Sequence, residues 1–341
     1  MPAELTPRRQ WVLKSIVEEY VSSATPVSSE SVARKAATPI STATLRNEMA
    51  ALEDLGLLRH PHTSAGRVPS DAGYRYYVEC LMGPAELQPA ERRTINHQFH
   101  QVEFSIDEWL ALGRAVLAQA LQNAALATPP LASRPKVRRI ELVPLQEHTV
   151  LLVLMLQSGH IRQQMLPLEE PLDREALTRL SNKLSAELAG RTLAGVRKAA
   201  LVALGVEREV LLAIVRAMEH TEQQGLEDVS YEGIRYIVAQ PEFAQSAKLQ
   251  PIVAALEHGQ LLAPVLTQAL TDEGVCVVIG REQPHETMRE CSVVIMGYGP
   301  EPELRGVVGI VGPTRMPYWR AVPLVRFVGT LIDSLVRESL Q

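Results

Sequence analysis

Apolar residues near the start of the chain recur at the spacing of an amphipathic helix. The first such group occupies positions i, i+3, i+4 and i+7: Leu13, Ile16, Val17 and Tyr20. Thr6 is a suitable N-cap and Pro7 suits the first helical position, so the pattern predicts a helix that begins there. The turn at residues 24–26 ends it.

Two further helices are predicted directly after this turn. The second covers about 28–35 with Val32 facing inward, and the third begins after Ser41. The apolar residues of the third helix are spaced by four, three and three: Leu45, Met49, Leu52 and Leu55. Gly56 is a typical helix terminator. Two short helices joined by a turn predict a helix-turn-helix.

The segment that follows predicts a β-hairpin and an exit helix. Residues 57–59 can pair as a strand with residues near Val68, and the polar loop between them has Pro and Gly at its turn. Ser70 then caps a helix. A simple connector is the alternative for 60–69, but its length and its position after the third helix favour the wing of a winged helix.

Downstream of residue 82 the pattern alternates between helices and strands. The segment 83–102 is predicted as a linker that becomes helical, and the helix continues to about Leu126. Strands are predicted at 137–143, 149–157, 160–167, 275–279, 292–296 and 304–311. Helices are predicted at 173–228, near 246–258, at 260–272 and at 316–339. This order predicts a multidomain α+β protein with a largely antiparallel sheet and a helical insertion.

Composition fits a globular protein of two or three domains in the cytoplasm. Of 341 residues, 46% are hydrophobic and 21% are charged, and the longest uniformly apolar run, 150–156, is too short to span a bilayer. Three scattered cysteines favour a reducing compartment, and we expect no export signal. The net charge of −5 argues against a uniformly basic surface, although a DNA-reading domain needs positive charge only where it docks.

The start of the third helix carries side chains suited to reading DNA. With Leu45 turned inward, the helix leaves four polar residues facing outward: Thr42, Thr44, Arg46 and Asn47. Arg can donate two hydrogen bonds to guanine, Asn pairs with adenine, and Thr contacts phosphate or a thymine methyl. Further contacts are predicted from the hairpin: Arg59, Thr63, Ser64 and Arg67. A plain three-helix interaction module with a solvated helix surface remains the alternative.

No pattern of catalysis, cofactor binding or metal binding stands out. GxGxxG, P-loop and GxSxG motifs are missing, so we predict no enzyme activity and no cofactor. His97, His100 and Glu103 share a helix face but are typical of a solvated linker helix. Arg315 is predicted to bond nearby carbonyls or an acidic neighbour, with an anion in a pocket as the alternative.

The residues quoted next resemble a known family. The stretch ISTATLRNEMAALEDLGLLRHPHTSAGRVPSDAGYRYYVE is similar to the N-terminal domain of HrcA-type heat-shock repressors, and PHTSAGRVPSDAGYRYYV (61–78) is its most specific part. Gln240-Pro241-Glu242-Phe243 and Gly312-Pro313-Thr314-Arg315-Met316 resemble shorter markers of the same family. Pro317 stands where the family usually has an acidic residue, which leaves the role of that position open.

The resemblance implies an architecture and a set of partners. Its domains would be a winged helix (1–82), a linker (83–102), a GAF-like domain in two parts (103–172 and 229–341) and a helical dimerising insertion (173–228). The implied function is negative regulation of chaperonin and partner-chaperone operons through the CIRCE inverted repeat in double-stranded DNA, bound as a homodimer. The chaperonin itself is an implied partner.

Two other classes of function stay open on the residues alone. A metabolite-responsive repressor would hold a small molecule in the GAF-like domain, and sugar-responsive repressors share the S-x-x-T-x-R pattern formed here by Ser41, Thr44 and Arg46. An enzyme with a DNA-targeting head is disfavoured by the missing catalytic motifs.

Overall fold

A computed structural model gives the fold of the chain. It describes residues 5–61, 66–83, 86–102, 105–130, 136–146, 148–157, 161–224, 229–243, 250–254, 256, 260–271, 274–300 and 304–339. The chain divides into two compact units. The first consists of residues 1–128, 229–298 and 307–341, and the second of residues 129–228 and 299–306.

The first unit opens with helices and a short hairpin: α1 (Pro7–Ser23), α2 (Ser29–Lys35), α3 (Thr42–Asp54), β1 (Leu58–Arg59), β2 (Val68–Pro69) and α4 (Asp71–Tyr76), which continues as one π-turn through Tyr77–Leu81. Thr6, Ser41 and Ser70 cap α1, α3 and α4 by accepting backbone N–H groups three residues ahead, at 3.4, 3.1 and 3.0 Å. The predicted helix starts are therefore confirmed.

The predicted apolar stripes form the core between these helices. Its fully buried members are Leu13, Ile16, Val17, Val32, Leu45, Met49 and Leu52. The prediction for Leu55 is wrong, because this residue caps the end of α3 and is 44% exposed. Gly56 follows with φ of +72°, which turns the chain into β1. The predicted hairpin is confirmed by the antiparallel pairing of Arg59 with Val68.

The rest of the first unit is a five-stranded sheet with helices. Its elements are α5 (Pro89–Gln101), α6 (Ile106–Leu121), β3 (Ala124–Ala127), β7 (Ser230–Glu232), α10 (Ile234–Val238), α11 (Ala263–Thr271), β8 (Val275–Ile279), β9 (Cys291–Tyr298), β10 (Gly306–Pro313) and α12 (Tyr318–Ser339). The strand order is β7-β3-β10-β9-β8, and the pairs β7–β3, β3–β10 and β8–β9 are antiparallel. Helix α12 lies against β9 and α6.

One sequence prediction for this region needs correction. The helix predicted to continue to Leu126 ends at Leu121, where Gln122 adopts a φ of +52°. Ala124–Ala127 forms a strand instead, buried between β10 and β7. The segment 83–102 is mostly helix α5. Of the helix predicted near 246–258, residues 250–254 are helical, while 246–249 and 257–258 lie outside the described residues.

The second unit pairs a three-stranded antiparallel sheet with three helices: β4 (Val137–Gln146), β5 (Thr149–Leu156), β6 (Ile161–Pro167), α7 (Arg174–Leu188), α8 (Leu193–Val202) and α9 (Gly205–Gln224). One face of β5 is buried: Val150, Leu152, Leu154 and Leu156. The predicted domain boundary at 173 falls inside this unit, which begins at Pro129, because the sheet and the helices share one core.

Candidate nucleic-acid interface

Helix α3 is held so that the polar side of its first two turns faces away from the core. Ser41 caps its start, while Leu45 and Met49 are buried beneath it. Because these apolar residues fix the rotation of the helix, the polar residues between them point outward. The N-terminal end of α3 is thus a rigid and accessible edge.

The four residues predicted to read DNA lie together on this edge. Thr42 and Thr44 are half-buried, and the Thr44 hydroxyl lies 2.8 Å from that of Ser41. Arg46 and Asn47 are exposed. Within the described part of the chain, the Asn47 side chain has no hydrogen-bond partner, so both its donor and its acceptor are free.

Arg46 is oriented by the neighbouring helix. Its Nε donates to the Ser29 hydroxyl at 3.2 Å, and its guanidinium pairs with Glu30 Oε1 at 2.6 Å. The pKa of Glu30 is lowered, first by a hydrogen bond from its own backbone N–H and then by the bond from Arg46. The Arg46 side chain nevertheless remains 62% exposed. Helix α2 therefore aims this guanidinium without burying it.

Helix α1 is tied to α3 through one carboxylate. Glu48 accepts a hydrogen bond from Arg9 Nε at 3.0 Å, and Arg8 lies 3.8 Å away. Arg9 is half-buried against Glu48, whereas Arg8 is exposed, and Lys14 lies 4.0 Å from Glu18.

Arg67 anchors the base of the hairpin. Its backbone exchanges two hydrogen bonds of 2.9 Å with Val27, which precedes α2. Its guanidinium pairs with Glu53 in the last turn of α3 at 2.9 Å, and its side chain is only 15% exposed. His60 Nδ1 lies 2.9 Å from the other oxygen of Glu53. One carboxylate thus joins both ends of the hairpin loop to α3.

The electrostatics of Glu53 follow from this position. Burial acts to raise its pKa, but hydrogen bonds from His60 and Arg67 outweigh burial and hold the pKa below the usual value. Gly66 stands beside the same anchor, where a Cβ atom would lie 2.4 Å from the Val27 carbonyl oxygen. Only glycine permits this close approach of two backbone segments.

The remaining predicted contacts are not all on this edge. Thr63 and Ser64 lie outside the described residues. Arg59 is exposed on β1, and its side chain lines a cavity beside Tyr20 and Tyr74. The structure therefore brings together Thr42, Thr44, Arg46 and Asn47, with Arg67 at the foot of the hairpin.

Comparison with known proteins places the chain in a family. The family model for the HrcA protein C-terminal domain matches residues 107–322. The heat-inducible transcription repressor HrcA of Chloroflexus aurantiacus is 42% identical over 99% of this chain and 95% of its own length. The chain belongs to the HrcA family. The HrcA repressor of Roseiflexus castenholzii is 41% identical over 99% of this chain and 96% of its own length.

Membership of the HrcA family agrees with the resemblance drawn from residues 40–79 and indicates a repressor of heat-inducible transcription rather than an enzyme. The crystal structure of a hypothetical protein at 2.2 Å resolution covers 98% of this chain and 100% of its own, with a TM-score of 0.59 and 21% identity. That likeness concerns the fold alone. No helix among the described residues has the length and apolar character needed to cross a membrane.

The two downstream HrcA-like markers meet at the end of α1. Arg315 pairs with Glu242, donates to Gln240 Oε1 at 3.0 Å and donates to the backbone carbonyl of Val21. Arg315 is therefore engaged by an acidic neighbour and a carbonyl, as predicted. This contact joins the sheet of the first unit to the helix that supports α3.

Helix α4 makes a second junction within the same unit. Arg75 pairs with Glu282 and donates to the carbonyl of Val277 at 2.7 Å. The Tyr74 ring packs against Tyr318, with 5.7 Å between ring centroids. The α1–α4 region is thus attached to the sheet by ion pairs and aromatic packing rather than by a free linker.

Three carboxylates important to this surface are absent from the sequence-based prediction: Glu30, Glu48 and Glu53. Each pairs with an arginine that is distant along the chain. Glu53 lies seven residues after Arg46 and so on the same side of α3, outside the buried stripe. Nothing in the sequence indicated that it would engage Arg67.

Proposed function

We propose that this chain represses chaperonin and partner-chaperone operons by binding the CIRCE inverted repeat as a homodimer. In this proposal α1–α4 and the β1–β2 hairpin act as a winged helix-turn-helix, and α3 enters the major groove. The observation that carries it is the exposed polar edge of α3 above a buried apolar stripe. The family of heat-inducible transcription repressors supplies the class of genes.

Each side chain on the α3 edge has a distinct role in this proposal. Arg46 donates two hydrogen bonds to a guanine, and Asn47 pairs with an adenine. Thr42 and Thr44 contact phosphate or a thymine methyl group. Arg46 gives up Glu30 when it meets a base, and the exposure of this ion pair keeps the cost of that exchange low.

The hairpin supplies the phosphate contacts. We assign this role to Thr63, Ser64 and Arg67, whereas the Arg59 side chain lines the cavity beside Tyr20 and Tyr74 and is given no DNA contact. Arg67 is mostly buried against Glu53, so its contribution is chiefly to hold the loop in position while its remaining N–H groups reach a phosphate. Backbone contacts of this kind set the register of a protein on DNA without reading sequence.

An inverted repeat requires a two-fold symmetric reader, which is why we propose a dimer. In this proposal the five-stranded sheet is a GAF-like domain and the second unit is the dimerising insertion. That unit exposes aliphatic side chains on the open face of its sheet: Val143, Leu145, Ile161 and Met165. Apolar patches of this kind mark protein interaction surfaces. Two linked readers gain affinity by avidity without new contacts.

The chaperonin acts in this proposal as the sensor of heat. It keeps the repressor in its DNA-binding fold, and unfolded proteins compete for it when the temperature rises. The competent fold is then a population that the chaperonin replenishes. Titrating chaperonin into purified repressor should increase operator affinity. A constant affinity over a wide range of chaperonin concentration would contradict this step.

Protection mapping on a chaperonin-operon promoter tests the DNA-reading assignment. Arg46→Ala should lose about 10- to 100-fold in operator affinity and lose its preference for one base pair, because a bidentate contact is worth roughly 1–3 kcal/mol. Arg67→Ala should weaken binding with less change in preference. The control is Arg179→Ala, an exposed arginine on α7.

Equal footprints from the wild type and both variants would refute the two residue assignments. Footprints lost in Arg179→Ala as well would point to misfolding or to a different docking face.

A further inference from the structure

A polar cavity of about 190 Å³ lies within the first unit, beside the end of α1, strand β1 and the start of α4. The segments that follow β8 and β10 complete its walls. It belongs neither to the edge of α3 nor to the interior of the sheet. Its lining is rich in charge and phenol groups: Tyr20, Arg59, Asp71, Tyr74, Glu242, Arg281, Arg289, Glu290 and Arg315.

Four arginines and three carboxylates share this lining. Glu242 is paired with Arg315, and Asp71 accepts the backbone N–H of Arg281 at 3.0 Å. Within the described part of the chain, the guanidinium groups of Arg59 and Arg281 have neither a hydrogen bond nor an ion pair. The cavity therefore presents unused cationic donors from two separate parts of the unit.

Tyr74 provides an independent sign that a ligand is expected here. The residue is buried, and its hydroxyl has no hydrogen-bond partner among the described residues. Buried polar groups in folded proteins are nearly always hydrogen-bonded, so an unpartnered hydroxyl in a cavity wall calls for an acceptor. An oxyanion accepts hydrogen bonds from a phenol and from guanidinium groups at the same time.

We propose that this cavity binds the phosphate group of a small phosphorylated solute. The Tyr74 hydroxyl and the guanidinium groups of Arg59 and Arg281 donate to its oxygens. Because Arg59 and Tyr74 belong to the α1–α4 region and Arg281 to the sheet, an occupied cavity joins the two and restrains the orientation of α3. This site is separate from the DNA-reading edge and extends the proposed function rather than depending on it.

Thermal unfolding of the full chain tests the site, with inorganic phosphate and glucose 6-phosphate as probes at constant pH and ionic strength. The wild-type melting temperature should rise with the logarithm of probe concentration above the dissociation constant, as mass action requires of a ligand that binds only the folded state. Arg281→Gln and Tyr74→Phe should each need about tenfold more phosphate for the same rise in melting temperature. Arg138→Gln, an exposed change on β4, should respond like the wild type.

Tyr74→Phe gives a readout that a purely structural role would not. It removes an unpartnered buried hydroxyl while keeping the ring on Tyr318, so its melting temperature without phosphate should stay equal or rise. A lower value would overturn the proposal. The stronger of the two probes identifies whether a free ion or an ester is preferred.

Equal responses in the wild type, Arg281→Gln and Tyr74→Phe would mean an adventitious ion only. Displacement of phosphate by operator DNA would assign the site to the DNA backbone and overturn the small-solute proposal. Arg281→Gln should bind operator like the wild type in phosphate-free buffer. Failure of the wild type itself to bind operator would count against the proposed function, not against this site.

Discussion

The leading edge of α3 and the base of the hairpin use the same ion-pair chemistry to different ends. Arg46 pairs with Glu30 at 2.6 Å, and Arg67 pairs with Glu53 at 2.9 Å. The first arginine side chain is 62% exposed and the second only 15%. Distances alone would rank the two pairs as equals, whereas burial separates them.

The difference teaches which arginine is available to a partner. An exposed pair is screened by water and contributes roughly 0–1 kcal/mol, so Arg46 exchanges Glu30 for another acceptor at little cost. Arg67 is screened less, shares Glu53 with His60 and has both backbone hydrogen bonds committed to Val27. Arg46 is therefore the reader in our proposal, and Arg67 is mainly the anchor.

The largest expected effect comes from breaking the anchor at its backbone. Gly66→Ala would place Cβ 2.4 Å from the Val27 carbonyl oxygen, and backbone atoms cannot move aside as a flexible side chain would. We expect a loss of about 3 kcal/mol in the free energy of unfolding, measured by denaturant titration.

The control for this change is Gly83→Ala. Gly83 has a φ of +67° but open space around its Cβ position, so only the backbone strain of about 1 kcal/mol applies. Equal losses in the two variants would show that the close approach at Val27 is relieved without cost.

Neutralising Glu30 and Glu53 in separate variants should change operator affinity in opposite directions, and each effect should be smaller than that of Gly66→Ala. Glu30→Gln frees Arg46 and removes a negative charge near the DNA, so operator affinity should rise about threefold. Glu53→Gln loosens the hairpin, so operator affinity should fall by about the same factor. Fluorescence anisotropy with labelled operator measures both.

Shifts of the same sign in these two variants would erase the distinction between reader and anchor. Asp54→Asn, an exposed carboxylate next to Glu53, serves as the matched control for charge alone.

The smallest effect concerns acid stability at the anchor. Because the pKa of Glu53 is lower in the folded state than in the unfolded chain, its stabilising contribution is present above the unfolded pKa. That contribution is lost as pH falls through the folded pKa, which lies below the usual glutamate value of about 4.3. Between roughly pH 5 and pH 3, the free energy of unfolding of the wild type should thus fall by about 0.5 kcal/mol more than that of Glu53→Gln. Parallel pH profiles of thermal unfolding would contradict the assigned cause.

Much of the N-terminal region was predictable because its signals are local. Thr6, Ser41 and Ser70 cap helices through bonds that reach only three residues ahead, and the apolar spacing of Leu45, Met49 and Leu52 fixes which side of α3 is buried. The outward direction of Arg46 and Asn47 follows from that spacing. These features need no knowledge of distant parts of the chain.

The strand Ala124–Ala127 shows where local reasoning stops. Alanine and leucine favour helices, so the sequence predicts that α6 continues. Pairing with β10 and β7 outweighs this preference, because both edges of the strand find hydrogen-bond partners and all four residues are buried. Those partners lie more than 100 residues away, and no spacing rule reveals them.

The sequence alone determined the helix starts of the N-terminal region, most of its inward stripes and the family to which the chain belongs, since these depend on residues close together or on motifs read directly. Only the tertiary structure decided that Arg67 would be held by Glu53, that Arg315 would join Glu242 to the end of α1, and that Tyr74 and Arg281 would line one cavity. These pairings depend on how elements that are distant along the chain pack against each other. The strength of each ion pair depends on its burial, and burial is established only by that packing.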